Sequence, residues 1–151
     1  MQSKRIDPLL KRAQDHEDEV ARDLAERQRV LDTHLSRLEE LRRYAEEYAN
    51  AQMAATSPAQ LLNRRAFLDR LDTAVAQQRQ TVDSNREKVE AERARLILAS
   101  RDKAVLEQLA ASYRAQEKVL VDRRDQREMD DLGARRSRLA RAEDTDSGDT
   151  P

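Results

Sequence analysis

The 151-residue sequence has no cysteine or tryptophan, only two glycines and three prolines, and 3% aromatic residues. Without cysteine the chain has no disulfide framework and no thiolate to act as a ligand or nucleophile. Few aromatics and 39% charged residues exclude a conventional core of packed layers. The longest apolar runs, such as 96–99, have three or four residues, and the polar N-terminus does not resemble a signal peptide. We therefore expect no transmembrane helix.

Charge and helix-forming residues are what the sequence has in abundance. It contains 29 Lys and Arg against 30 Asp and Glu, which gives a formal charge of −1. A balanced charge creates no strong field toward nucleic acid or an anionic membrane, so neither is an expected partner. Frequent Ala, Leu, Arg, Glu and Gln are typical of long helices and coiled coils. The composition predicts an all-α, cytoplasmic protein.

Proline and glycine divide the chain into two uninterrupted stretches, 9–57 and 59–132. Asp7-Pro8 offers an N-cap carboxylate followed by proline at the first helical position. Ser57-Pro58-Ala59-Gln60 matches a capping box. This match favours the start of a second helix over the alternative, a continuous helix kinked at Pro58. The predicted elements are helix 1 at about 8–55, a turn at about 56–58, helix 2 at about 59–142 and a disordered acidic tail at 143–151, with 1–142 as one domain.

Heptad spacing of apolar residues predicts how the two helices pack. Positions a and d include, in helix 1, Leu10, Val20, Leu24, Leu31, Leu38 and Leu41, and in helix 2, Leu61, Leu68, Leu71, Val75, Val82, Val89 and Leu96. A short turn makes the helices antiparallel neighbours, so the fold is an antiparallel two-helix coiled-coil hairpin. The turn selects a register that opposes Leu41 with Val75 and Leu10 with Leu106.

The predicted seam varies in quality along its length. Layers beside the turn are mainly apolar, whereas five middle layers pair an apolar with a polar residue: Leu24/Glu92, Arg27/Val89, Leu31/Asn85, His34/Val82 and Leu38/Gln78. Polar a and d residues lower stability and set register, so we expect a firm tip and a compliant shaft.

Helix 2 is predicted to outrun helix 1. About 35 residues after Leu106 have no partner in this register, an overhang of some 50 Å. Apolar residues are scattered along it, and an isolated charged helix of this kind is marginal, which favours a binding partner. Fraying or homodimerisation through the overhang are the alternatives. The basic segment 135–138 fits a solvated terminus or a protein contact better than a nucleic-acid site, because the acidic tail follows it.

No catalytic or metal-binding motif is present. His16 and His34 are too far apart on one helix to share a metal, and His34 sits at a seam position suited to a packed neutral imidazole. The sequence contains no Gly-rich phosphate loop and no nucleophile motif. We therefore expect no enzyme activity, cofactor or metal.

Three of the four aromatic residues flank the turn. In the predicted register, d and g positions near the tip form one continuous edge, composed of Arg37, Leu41, Tyr44, Tyr48, Phe67, Leu71, Ala74 and Gln78. Exposed aromatics beside small and polar residues suit a binding hot spot. The alternative is that Tyr44 and Phe67 fold over the seam and only widen it.

The same region resembles a known family. Segment 41–48 (LRRYAEEY) is similar to the tyrosine pair of the flagellar type III export protein FliJ, and Phe67, Leu71 and Ala74 match its following residues at its spacing. Segments 103–109 and 126–131 (QREMDD) resemble its helix 2 and its C-terminal acidic signature. The resemblance covers 1 to about 140. Arg37 and Gln78 depart from the family's glutamine and histidine.

This resemblance implies a non-enzymatic, cytoplasmic component of the flagellar export apparatus, associated peripherally with the inner membrane at the flagellar base. It implies three partners: the hexameric export ATPase, the cytoplasmic domain of the membrane-embedded export gate, and substrate-specific export chaperones. The edge near the tip would contact the gate. The far end would contact the ATPase ring, and we assign to it Leu109, Tyr113, Leu120, Arg124, Arg127, Met129 and Leu132.

Two alternatives to a flagellar stalk stay open from the sequence. The chain could be the equivalent protein of a virulence type III secretion system, which genome neighbours would distinguish. It could also be a generic coiled-coil scaffold, which predicts concentration-dependent self-association and no effect on an ATPase.

Overall fold

A computed structural model of the protein describes residues 2–51 and 57–148. Those residues form two α-helices, α1 (Gln2–Asn50) and α2 (Pro58–Asp146), and contain no strand. The prediction of an all-helical protein with two long helices packed against each other is confirmed. The antiparallel direction of the pair stays a prediction.

The chain divides into two compact units, and α1 and α2 contribute to both. The central unit is Arg12–Lys103, and the terminal unit consists of Met1–Lys11 together with Ala104–Pro151.

The core of the central unit follows the predicted heptads. Its buried apolar residues are Val20, Leu38, Leu71, Val82, Val89 and Ala99. All of them occupy a or d positions, as does the buried polar residue Asn85. The hydrophobic pattern therefore identified the buried face in most of this unit, but Leu61, a predicted seam position beside the turn, is 51% exposed. Asn85 is accommodated because its Nδ2 donates to the Thr81 carbonyl oxygen of its own helix at 2.8 Å.

The capping box at the start of α2 is confirmed. The Gln60 backbone N–H donates to Ser57 Oγ, and the Ser57 N–H donates to Gln60 Oε1, both at 3.3 Å. The Leu61 N–H donates to the Ser57 carbonyl oxygen at 3.2 Å, which is the first bond of the helix. These contacts satisfy backbone groups that otherwise lack partners at a helix start, so α2 begins at Pro58.

The end of α1 lies earlier than the prediction of about 55. The helix ends at Asn50, Ala51 is outside it, and 52–56 lie outside the described residues. Arg64 of α2 explains this end, because its Nη2 donates to the carbonyl oxygens of Tyr48, Ala49 and Ala51 at 3.3, 3.0 and 3.1 Å. Final-turn carbonyls have no partner within their helix, and Arg64 supplies one.

The start of α1 differs from the prediction of about residue 8. The helix begins at Gln2, and Pro8 lies inside it rather than at its first position. Proline disfavours a helix interior, because it lacks the N–H and crowds the preceding turn. Tertiary contacts override this preference, since Ser3 and Ile6 are buried against α2 within the terminal unit.

The other end of α2 also extends past its predicted boundary. The helix continues to Asp146, so the tail predicted from residue 143 overlaps it, and 149–151 lie outside the described residues. The Thr145 hydroxyl donates to the Arg141 carbonyl oxygen at 2.9 Å, and the Ser147 N–H donates to the Glu143 carbonyl oxygen at 3.2 Å. These local bonds close the final turn.

Candidate interaction surfaces

The central unit contains an aromatic cluster composed of Tyr44, Tyr48 and Phe67. The Phe67 ring lies 4.6 Å from that of Tyr48 and 6.4 Å from that of Tyr44, centroid to centroid, and both pairs are edge-to-face. Such pairs contribute about 0.5–1.5 kcal/mol beyond their burial. Phe67 and Tyr48 are half-buried, whereas Tyr44 is 50% exposed. The cluster therefore links the two helices and presents Tyr44 to solvent.

The other five residues of the predicted edge differ in accessibility. Arg37 is exposed, Leu41 and Ala74 are half-buried, and Leu71 is only 8% exposed. Leu71 therefore belongs to the core and offers little surface to a partner. Gln78, the last of the five, is half-buried.

Gln78 is also engaged within the protein. Its Nε2 donates to the His34 carbonyl oxygen at 3.0 Å and lies 3.3 Å from His34 Nδ1. This geometry suits an imidazole that accepts at Nδ1, in keeping with the packed role expected of His34. The sequence placed both residues at seam positions but did not reveal the bond between them.

In the terminal unit, pairing between the helices reaches further along α2 than predicted. Ala110 is 1% exposed, Tyr113 is half-buried, and Glu117 bonds to Ser3. The prediction that everything after Leu106 lacks an intramolecular partner is therefore wrong for 107–117. The reason is that α1 starts six residues earlier than its predicted start at 8, and these extra residues cover α2.

Glu117 receives two hydrogen bonds from one residue. The Ser3 N–H donates to Oε1 at 3.1 Å and the Ser3 hydroxyl donates to Oε2 at 2.6 Å. The hydroxyl bond, followed by the backbone bond, lowers the pKa of Glu117 below its ordinary value, and the charge of Arg114 acts in the same direction. Arg114 Nη2 in turn lies 3.1 Å from Asp7 Oδ1. The sequence pattern did not indicate this set, because each contact joins residues more than 100 positions apart.

Beyond Glu117, α2 continues as a terminal segment, residues 118–148, in which every residue is exposed. At 1.5 Å per residue its helical part is about 40 Å long. Five of the predicted ATPase-contacting residues lie in it: Leu120, Arg124, Arg127, Met129 and Leu132. The other two precede it, Leu109 exposed at 40% and Tyr113 half-buried.

The terminal segment combines exposed apolar side chains with charge. Met129 is 72% exposed and Leu139 is 66% exposed, and Val119, Leu120, Val121 and Leu132 are also exposed. The charged pair Arg124 and Glu128 contact each other at 3.3 Å along the helix surface. Large exposed apolar side chains on a charged helix are typical of a surface that binds another protein.

The described parts of the chain contain no cluster of three or more His, Cys, Asp or Glu residues arranged to hold a metal ion. Within the same residues, neither helix has a segment apolar enough to cross a membrane.

The family comparison agrees with the resemblance seen in the sequence. The family model described as "Flagellar FliJ protein" matches residues 2–142 of the chain. No curated protein and no solved structure matches the chain. The match takes in the aromatic cluster and most of the terminal segment.

Proposed function

We propose that this chain, which belongs to the flagellar FliJ protein family and is thus a component of flagellar type III export, has no enzyme activity and acts as a stalk that links the export ATPase to the export gate. The observation that carries this proposal is the presence of two separate surfaces. One is the aromatic cluster in the central unit, and the other is the fully exposed terminal segment. A linking protein needs two surfaces of this kind.

We infer that the helices form an antiparallel coiled-coil hairpin. Contacts between early residues of α1 and late residues of α2 support it, such as Ser3 with Glu117 in the terminal unit. In the central unit, Glu17 pairs with Lys103 at 3.3 Å, whereas Tyr48 meets Phe67. Within this unit, residues further along α1 therefore meet residues earlier in α2, as an antiparallel pair requires.

The aromatic cluster and its neighbours form the proposed gate-binding surface. Tyr44 is its most accessible aromatic, and Phe67 holds it in place from α2. Rigid, half-exposed aromatic side chains lose little conformational entropy on binding and dominate many protein interfaces. Arg37, Leu41 and Ala74 complete the accessible part, while Leu71 and Gln78 support it from within.

Binding to the gate is tested with its purified cytoplasmic domain by calorimetry. We expect Tyr44→Ala to weaken binding at least about thirtyfold, because hot-spot residues contribute about 2 kcal/mol or more. Circular dichroism should show unchanged helicity, since Tyr44 is 50% exposed. The matched control is Leu62→Ala, which removes another exposed apolar side chain of the central unit outside the predicted edge. Equal losses in the two variants would contradict the assignment.

The terminal segment is the proposed ATPase-binding surface, where it enters or caps the hexameric ring. Its support is the absence of any buried residue from 118 to 148 and the presence of large exposed side chains such as Met129 and Leu132. Binding by the ring would bury these side chains and promote assembly and activity of the ATPase. We further propose that the protein escorts substrate chaperones and associates peripherally with the inner membrane through the gate.

The deciding experiment measures ATP hydrolysis by the export ATPase of the same organism during titration with the protein. We compare the full chain with a version that ends at Lys118, which keeps Glu117 and the described hydrogen bonds and ion pairs between α1 and α2. Stimulation by the full chain alone supports the stalk. A third version, with Met129 and Leu132 changed to Ser, keeps the length and separates lost apolar contact from lost helix.

The alternatives predict different results. If neither version alters an ATPase that is active and able to form hexamers, a self-associating scaffold explains the surfaces better. A stalk of a virulence secretion system would stimulate that system's ATPase more strongly than the flagellar enzyme.

A further inference from the structure

The first six residues of α1, 2–7, are helical although a proline comes directly after them. Pro8 cannot donate a hydrogen bond to the Lys4 carbonyl, and its ring crowds the preceding turn. A helix of six residues is also far shorter than the roughly 12–15 needed for stability alone. The helical state of 2–7 therefore depends on contacts with α2.

Those contacts are few, and Glu117 is at their centre. The Ser3 N–H belongs to the first turn of α1, where backbone donors have no partner within the helix. The Glu117 carboxylate accepts hydrogen bonds from the Ser3 N–H at 3.1 Å and from the Ser3 hydroxyl at 2.6 Å. A residue of α2 therefore acts as the N-cap of α1. Burial of Ile6 and the Asp7–Arg114 ion pair add to it, but that pair is more than half exposed and therefore weak.

The sequence also encodes a second start for α1. Asp7 is a favourable N-cap residue, and Pro8 directly after it is favourable at the first helical position. A helix that starts at Pro8 needs no contact with Glu117. The local sequence and the tertiary contacts thus specify two different starts, six residues apart.

We propose that residues 2–7 form a detachable segment that is hinged at Pro8 and locked onto α2 by Glu117. In the docked state the segment is helical, as described. In the released state α1 starts at Pro8 with Asp7 as its cap. Release uncovers Ala110 and the half-buried Tyr113, and it opens the groove of about 280 Å³ that Gln2 lines with Tyr113 and Leu120.

Ala110 and Tyr113 precede the terminal segment in α2. Release therefore lengthens the exposed surface of α2 from residue 118 back to about residue 110. The two states exist in the isolated chain, and their test does not involve an ATPase or a gate. The inference and the proposed function can therefore fail separately.

The test uses the full chain and nuclear magnetic resonance. Cα chemical shifts report whether 3–7 are helical, and amide exchange at Ile6 and Asp7 reports how often the segment opens. We expect helical shifts in the wild type. In Glu117→Ala we expect these shifts to move toward coil values and exchange at both amides to speed at least about tenfold, with no change after Leu10.

Two further variants complete the design. Glu128→Ala removes a carboxylate of α2 that contacts only Arg124 among the described pairs, and it should leave 3–7 unchanged. Adding Pro8→Ala to Glu117→Ala should restore helical shifts, because alanine removes the cost of an interior proline. The proposal is overturned if 3–7 stay helical in Glu117→Ala, or if Pro8→Ala restores nothing.

Discussion

Arg64 provides a quantitative test of how α1 ends. Its guanidinium donates to the carbonyl oxygens of Tyr48 and Ala49 in the last turn of α1 and to that of Ala51 just after it, at 3.0–3.3 Å, and the last turn contains no basic residue of its own. The substitution that tests this contact is Arg64→Met, which keeps most of the aliphatic part of the side chain and removes the hydrogen-bond donors. It leaves three carbonyls to water and removes the positive charge that the helix dipole favours at this end.

The expected magnitude can be worked out from this geometry. A hydrogen bond contributes about 0.5–1.5 kcal/mol net, and the three bonds share one donor group near the surface, so they do not add fully. A cation at a helix C-terminus contributes about 0.3–1 kcal/mol, which overlaps with the same bonds. We therefore expect Arg64→Met to lower the free energy of unfolding by about 1–2 kcal/mol. For a chain of this size the melting temperature falls by roughly 2–8 °C.

Urea and thermal denaturation followed by circular dichroism at 222 nm measure this change. Arg65→Met is the matched control, because Arg65 is the exposed neighbour of Arg64 and should shift the free energy by less than about 0.5 kcal/mol. The urea m-value should stay the same in both. If Arg64→Met and Arg65→Met have equal effects, Arg64 does not cap α1, and the end of the helix at Asn50 needs another cause.

Three other outcomes are expected. The lowered pKa of Glu117 means that docking of 2–7 stabilises the fold above the ordinary value of 4.5 and is lost as the pH falls through the lower, folded value. After correction for the intrinsic pH dependence of exchange, protection of the Ile6 and Asp7 amides should therefore stay constant between pH 7 and 5 and fall only at more acidic pH, and Glu117→Gln should remove this dependence; the charges of Arg114 and the amino terminus also act on Glu117. Asn85→Leu should raise the free energy of unfolding by about 1–2 kcal/mol in urea denaturation, because Asn85 is a buried polar residue at a d position, and a lowered value would count against the heptad assignment. Tyr44→Ala should cost less than about 1 kcal/mol, whereas Phe67→Ala should cost about 2–3 kcal/mol, because Phe67 is half-buried and contacts two rings; comparable costs would show that Tyr44 is part of the core.

The features that the sequence predicted well are those encoded by neighbouring residues. Heptad spacing identified the buried positions, such as Val20 and Val82, because the period of apolar residues determines which helix face can lose contact with water. The start of α2 was predicted because Ser57 and Gln60 satisfy each other's backbone groups locally. The grouping of Tyr44, Tyr48 and Phe67 on one edge followed from the heptads and the turn taken together, whereas the individual ring contacts did not.

The missed features depend on residues far apart in the chain. Asp7-Pro8 favours a helix start locally, and contacts with Glu117 and Arg114, together with burial of Ile6, carry α1 further. No local signal in α1 indicates Arg64, because a long, flexible side chain on the other helix reaches three carbonyls that any sequence would expose. The predicted edge combined g positions with d positions, and d positions lie in the seam, so the buried Leu71 was grouped with the exposed Tyr44.

The polar seam residues of the central unit differ in whether they bond within their own helix or across to the other, and this difference has a mechanical consequence. Asn85 is buried, yet its amide bonds to Thr81 on its own helix, so this hydrogen bond does not oppose movement of one helix along the other. Gln78 bonds across to the His34 carbonyl, and Arg64 bonds across to the last carbonyls of α1. Beyond the packing of buried side chains, directional bonds across the described part of this unit oppose shear at Arg64, Gln78, the Asp23–Arg95 pair and the Glu17–Lys103 pair. A pulling force applied at the aromatic cluster would act first on the bonds between the helices made by Arg64 and Gln78, and only then on the rest of the unit.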